Sequence, residues 1–326
     1  VDLPGAEAAY QAAISAGDPR WAAIARIDLA WLRQRRGDVT GARQLLEAAA
    51  ASGDPEIVGR AQDLTGDLLA DQGDLPGAEA AYQAAIGTAD PYWAALAMVD
   101  LADLRQRRGD VTGARELLEA AAESGIPRIT AQAHDMLGDQ LAEQGDLTGA
   151  EAAYQAAISA GDPRWAAIAR IDLAVVRVTS GDPGRARELL EAAAAAGIPT
   201  IAAQAHDLLG NLLEEQGDLA GAEAAWQAAI STGDPRWAAS ARVDLAAFLA
   251  QRGDPRQARE LLQAATASGD PRTVGRAHAM LGKLLEEQGD LAGAEAAYQA
   301  AISTADPYWA QVGRVLRARL HRSPND

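Results

Sequence analysis

The chain has 326 residues, 48% of them hydrophobic, so it is long and apolar enough to bury a core rather than stay a disordered tail. Its 29 Lys and Arg against 46 Asp and Glu give a formal net charge of -17, which repels phosphate backbones and anionic lipid and argues against nucleic acid and membrane as partners. Without cysteine, no disulfide framework or thiolate metal site is available, and no apolar run approaches the roughly twenty residues of a membrane span.

Read in chain order, the sequence repeats itself. The stretch at Val1 returns at Gly73, Gly145, Gly217 and Gly289, where it reads "GDLAGAEAAYQAAI". A second version, "GDVTGARQLLEAAAASGDP", starts at Gly37 and returns at Gly109, Gly181 and Gly253. The unit is therefore 36 residues, doubled to 72, with starts at 1, 37, 73, 109, 145, 181, 217, 253 and 289. Nine such units fill residues 1–324, and Asn325 and Asp326 fall where a tenth would open. A period of this size signals a solenoid.

Each unit carries two helix starts. The pair Gly37-Asp38 combines a helix-ending glycine with a capping aspartate, and Asp74, Asp110 and Asp146 repeat it. About half a unit later "GDPRW" offers Asp18 as cap and Pro19 at the first helical position. Ile126-Pro127 and Ile198-Pro199 keep the proline but lose the cap. Ala6, Tyr10, Ala13 and Ile14 recur at helical spacing, and no segment alternates as a strand does. Helices of about four turns are marginal alone, so stability must come from stacking. The expected fold is an all-α right-handed solenoid of nine helix-pair units, read as a single array over 1–326, with a terminal capping helix at about 306–322.

The stretch "LGKLLEEQGDLAGAEAAYQAAI" places Leu281-Gly282, Leu285, Gly289-Asp290, Ala294, Tyr298 and Ala301 at spacings that resemble the tetratricopeptide repeat family, followed by Pro307. The resemblance covers all nine units, as a bacterial 36-residue variant of the usual 34-residue repeat. Odd units carry Ala30, Ala102, Ala174 and Ala246 where the family has glycine. Gly or Ala on the first helix of the motif is expected to face Ala on the second. The wealth of Ala, Gly and Arg, beside the single Lys283, suggests a GC-rich bacterial genome.

The polar residues follow the repeat rather than a catalytic pattern. His134, His206 and His278 recur every 72 residues, each with glycine at i+4, so no helix offers two ligands on one face. Copies separated by several helix widths of roughly 9 Å cannot share an ion. Asp28, Asp100, Asp172 and Asp244 also follow the repeat and read as partners for nearby Arg or backbone groups. No nucleophile elbow or phosphate loop stands in a strand-to-helix context. The reading is non-catalytic, with no cofactor and no metal.

Trp21, Trp93, Trp165, Trp237 and Trp309 form a ladder expected to pack beside the preceding shorter helix, whereas Trp31 and Trp226 break it and read as exposed anchors. The resemblance implies a ligand surface on the concave side, at i, i+3 and i+7 of the longer helices. That assigns Ile24, Ile27 and Trp31; Leu96, Val99 and Asp103; Ile168, Ile171 and Val175; Gln132, Asp135 and Asp139; and Gln204, Asp207 and Asn211. Apolar and acidic bands then alternate. The competing expectation is that the longer unit turns these residues into contact with neighbouring helices. A protein or peptide with apolar anchors and basic residues suits such a groove.

The two ends differ. Arg317 replaces Leu29, Leu101, Leu173 and Leu245, with His321 one turn on, and a charged face there implies that no further unit follows. Val1 instead enters a helix directly, leaving Ala6, Tyr10 and Ile14 without a covering helix. Either this is the C-terminal array of a larger protein, or it is a self-assembling repeat protein forming head-to-tail oligomers or filaments. The first implies a cytoplasmic location, the second an extracellular one.

Overall fold

The computed structural model describes residues 3–321. Among them stand eighteen helices and no strand. The short ones are α1 (Leu3–Ser15), α3 (Val39–Ala50), α5 (Leu75–Ile86), α7 (Val111–Ala122), α9 (Leu147–Ser159), α11 (Pro183–Ala194), α13 (Leu219–Ser231), α15 (Pro255–Ala265) and α17 (Leu291–Ile302). They alternate with long ones: α2 (Pro19–Arg35), α4 (Pro55–Asp71), α6 (Pro91–Arg107), α8 (Pro127–Glu143), α10 (Pro163–Thr179), α12 (Pro199–Glu215), α14 (Trp237–Gln251), α16 (Pro271–Glu287) and α18 (Pro307–Leu320). None of the described helices is long and apolar enough to cross a membrane.

Tight turns follow from a few residues. Gly37 adopts a left-handed φ of 80°, which lets the Asp38 amide donate back to the Arg33 carbonyl at 3.0 Å and stops α2. The Asp38 carboxylate then accepts from the Gly41 amide at 2.9 Å and starts α3. Asp74, Asp110, Asp146, Asp218 and Asp290 cap α5, α7, α9, α13 and α17 in the same way. At α8 and α12 Ile126 and Ile198 supply no side-chain cap. Ile126 packs instead against the core around Val99, Leu118 and Ile129.

Contacts divide the chain into two units, Val1–Ala169 and Arg170–Asp326, the division falling inside α10. In the first, each of α1 to α8 packs on the next helix in the chain, and α2, α4, α6 and α8 also touch in succession. In the second, α11 to α18 do the same, with α12, α14, α16 and α18 touching in succession. Among the described residues of each unit the backbones of the short helices stay apart, and Arg187 on α11 reaches the α13 cap Asp218 only by its side chain. Long helices therefore line one face, and contacts stay between near neighbours in the chain, as in a repeat array.

The 72-residue doubling has a packing cause. Gly66 on α4 faces the ring of Tyr82 on α5, Gly138 faces Tyr154, Gly210 faces Trp226 and Gly282 faces Tyr298. In alternate pairs the same register holds Ala30 with Leu46 and Ala102 with Leu118, each pair sharing one core. A larger residue on the short helix is matched by a smaller one on the long helix. Ala30 shares its core with Ala42, and Ala102 with Ala114, and at this register the small residue also makes room for an aromatic ring or a leucine.

The tryptophan ladder is corrected in part. A Cβ on Gly59 would lie 2.6 Å from Trp93 Cβ, and Gly275 stands likewise against Trp309. These two therefore pack on the preceding long helix, because only glycine there leaves room for the indole. Trp21, with no described long helix before it, is exposed.

Candidate interaction surface

The long-helix face carries the residues assigned from sequence, at three different depths. Ile24, Leu96, Gln132, Ile168 and Gln204 are half-buried. Ile27, Val99, Asp135, Ile171 and Asp207 are buried. Ile27 joins the core of Ala30, Ala42 and Leu46, and Val99 that of Ala102, Ala114 and Leu118. These five do not line an open surface; the helices are turned so that the i+3 position points between neighbours. The i+7 position is the most open, with Trp31, Asp139 and Val175 exposed and Asp103 and Asn211 half-buried.

Several of these groups are held from behind by the following short helix. The Tyr82 hydroxyl donates to Asp67 at 2.8 Å, and Tyr154 donates to Asp139 at 2.7 Å. At the same register Trp226 donates its Nε1 proton to Asn211 Oδ1 at 3.2 Å. Trp226 is fully buried, so its reading as an exposed anchor is wrong. It occupies the core position of Tyr82 and Tyr154, and the paired exchange of Asp for Asn211 was the signal available in the sequence. Where Lys283 takes the acid's place, Tyr298 turns to Glu286 at 2.6 Å.

The repeated aspartates lie deeper than a solvated face requires. Arg60 bonds Asp28 at 3.1 Å, and Arg276 pairs with Asp244. Gln132 holds the register of Arg60 and Arg276, so Asp100 lacks that cation and its carboxyl bonds instead to that of Asp63. Asp63 is 2% exposed, and its Oδ1 has no partner. Burial, then the charge of Asp100, pushes the Asp63 carboxyl well above the usual range, and burial, then the charge of Asp67, raises that of Asp100, so the pair retains a proton at neutral pH. Burial and then Asp244 push Asp207 up to about 7. Desolvation lowers His134, His206 and His278 and favours their neutral forms. Among the described residues no group of three His, Asp or Glu side chains could hold a metal ion.

In the first unit the long helices α2, α4 and α6 enclose an open recess of about 480 Å³. Trp31 stands at its edge, 53% exposed, with Asp67, Asp71, Asp100 and Asp103 around it. Arg107, on Asp103, is the cation of the lining.

The end helices are tied by a recurring clamp. Glu7 on α1 receives Arg36 at 2.5 Å and Arg33 at 3.5 Å, and Glu79 receives Arg108 at 2.8 Å and Arg105 at 3.1 Å. Glu295 on α17 receives Arg317 at 2.6 Å and His321 at 2.8 Å. Arg317 and His321 thus reach back to the preceding short helix. Ala6, Tyr10 and Ile14 on α1 are half-buried; Val1, Asn325 and Asp326 lie outside the described residues.

A tetratricopeptide repeat-like domain profile matches residues 1–93 and 159–239, and a tetratricopeptide repeat profile matches residues 99–164 and 244–308. No curated protein matches. The solved structure of a tetratricopeptide repeat protein from Parabacteroides merdae is similar at 17% identity, covering 81% of this chain and 99% of its own, with a TM-score of 0.53. Two crystal structures of MamA match at 24% and 22% identity over 51% and 60% of this chain and 92% and 97% of theirs, with TM-scores of 0.41 and 0.42.

Proposed function

This chain belongs to the tetratricopeptide repeat family, whose repeats generally bind proteins or peptides, and we propose that its long-helix face binds a peptide rich in basic residues. The observation that carries the reading is the recess at Trp31. Asp67, Asp71 and Asp103 outnumber the one arginine and give a negative field, and an exposed indole supplies a face on which an arginine or lysine can rest. The cation–π contact already made by Arg35 over Trp31, at 4.7 Å, illustrates the geometry. Charge of this kind chiefly speeds approach and selects partners, while the apolar anchors supply affinity. The function is that of a scaffold, without a catalytic step.

Fluorescence anisotropy with arginine-rich and glutamate-rich peptides of equal length tests the reading. The basic peptide should bind and weaken as salt rises. Selective binding of the acidic peptide would overturn it.

A second reading, self-association, draws on exposed Tyr308 and Val315 on α18 and on the partly covered Tyr10 and Ile14 of α1. Light scattering across concentration tests it: growth of particles supports it, and a persistent monomer removes it.

A further inference from the structure

The repeats serve as internal controls for one another, because a residue that the fold needs should recur at its register. Along α10 the register of Trp31, Asp103 and Ala247 holds Val175, and that of Gln34, Gln106 and Ala250 holds Val178. Arg35 and Arg107 become Thr179. Val175 is 51% and Val178 41% exposed, so neither is needed for the core, and the sister repeats tolerate polar groups at both positions. Exposing two valines on one helical face gives nothing to folding.

These residues line a groove in the second unit. Ala174, Val175 and Val178 form one wall, Leu208 and Leu212 the other, around an open volume of about 200 Å³. Apolar cavities of the order of 150 Å³ accept a benzene ring, so the groove has room for one large side chain. Its polar end carries Glu215, and Glu214 lies next to it in the chain. No salt bridge of either glutamate is found among the described residues. An apolar slot with an unneutralised carboxylate at its rim is complementary to an apolar residue flanked by a cation.

We propose that the groove between α10 and α12 anchors a partner peptide through one leucine-like or phenylalanine-like side chain, with an adjacent lysine or arginine on Glu215. The proposal rests on the peptide-binding reading of the long-helix face and specifies the residue that the second unit selects.

The probes are two fluorescein-labelled pentapeptides, each with two arginines on either side of a central leucine or alanine. The chain should bind the leucine peptide roughly tenfold more tightly, as burial of an aliphatic side chain implies. The variant Val175→Ala with Val178→Gln carries residues found at the same register in sister repeats, so its thermal melt should be unchanged. It should bring the two peptides to within about twofold of each other. Equal binding by the parent chain, or a preference that survives in the variant, overturns the proposal. If the preference vanishes only with Trp31→Ala, the long-helix reading stands and this site falls; if neither peptide binds, both fall.

Discussion

Gly66 and Tyr82 pack so closely that a Cβ on the glycine would lie 2.7 Å from the ring's Cζ and nearer still to two other ring carbons. The ring cannot retreat, because its hydroxyl is bonded to Asp67 and its body is buried. Gly66→Ala should therefore destabilise the first unit by about 1–3 kcal/mol, the usual cost of overpacking. Adding Tyr82→Leu should restore most of the loss, since it rebuilds the Ala30–Leu46 pairing of alternate repeats. Denaturant melts of both variants check this; a double variant no better than the single one would show that the two packings are not interchangeable.

Stability should fall as pH rises through neutrality. Asp63, Asp100 and Asp207 hold protons in the folded chain that the unfolded chain gives up near its ordinary value of 3.8. Their favourable contribution is complete below that value and declines as pH rises, with Asp207 finishing near 7. Asp270 and Glu295, through Thr273 and Arg317 respectively, and the desolvated His134, His206 and His278 shift the other way, so their smaller contribution is lost on acidification. The melting temperature should be higher at about pH 5 than at about pH 8, and Asp63→Asn should reduce the difference. Equal melting temperatures at both values would contradict the buried pair.

Peptide binding should depend on the indole at the edge of the acidic recess. Trp31→Ala should weaken an arginine-rich peptide several-fold, the order of a cation–π contact of about 0.5–1 kcal/mol at an exposed site, and leave the melt unchanged. Trp31 is over half exposed, so its removal opens no cavity. Unaltered affinity, measured by anisotropy, would place the peptide elsewhere.

Much of the fold was legible because capping and periodicity are local. Asp38 and Pro19 mark helix starts whichever way the helices later pack. Rotation about the helix axis is not local. Asp135 and Asp207 carry the same side chain as exposed Asp139, yet they are buried because the i+3 position turns between helices. Trp226 departs from its sequence reading for a related reason: it breaks the tryptophan ladder but fills the register of Tyr82 and Tyr154. Trp31, which breaks the same ladder from a solvent-facing position, was read correctly as exposed. Depth, unlike helix start, depends on what stands one repeat away.

The most direct test of the account is amide hydrogen exchange with and without an arginine-rich peptide. Binding on the long-helix face should slow exchange in α2, α4 and α6 around the recess, while α3, α5 and α7 on the other face change little. Protection confined to the short helices would contradict the assignment of the binding face.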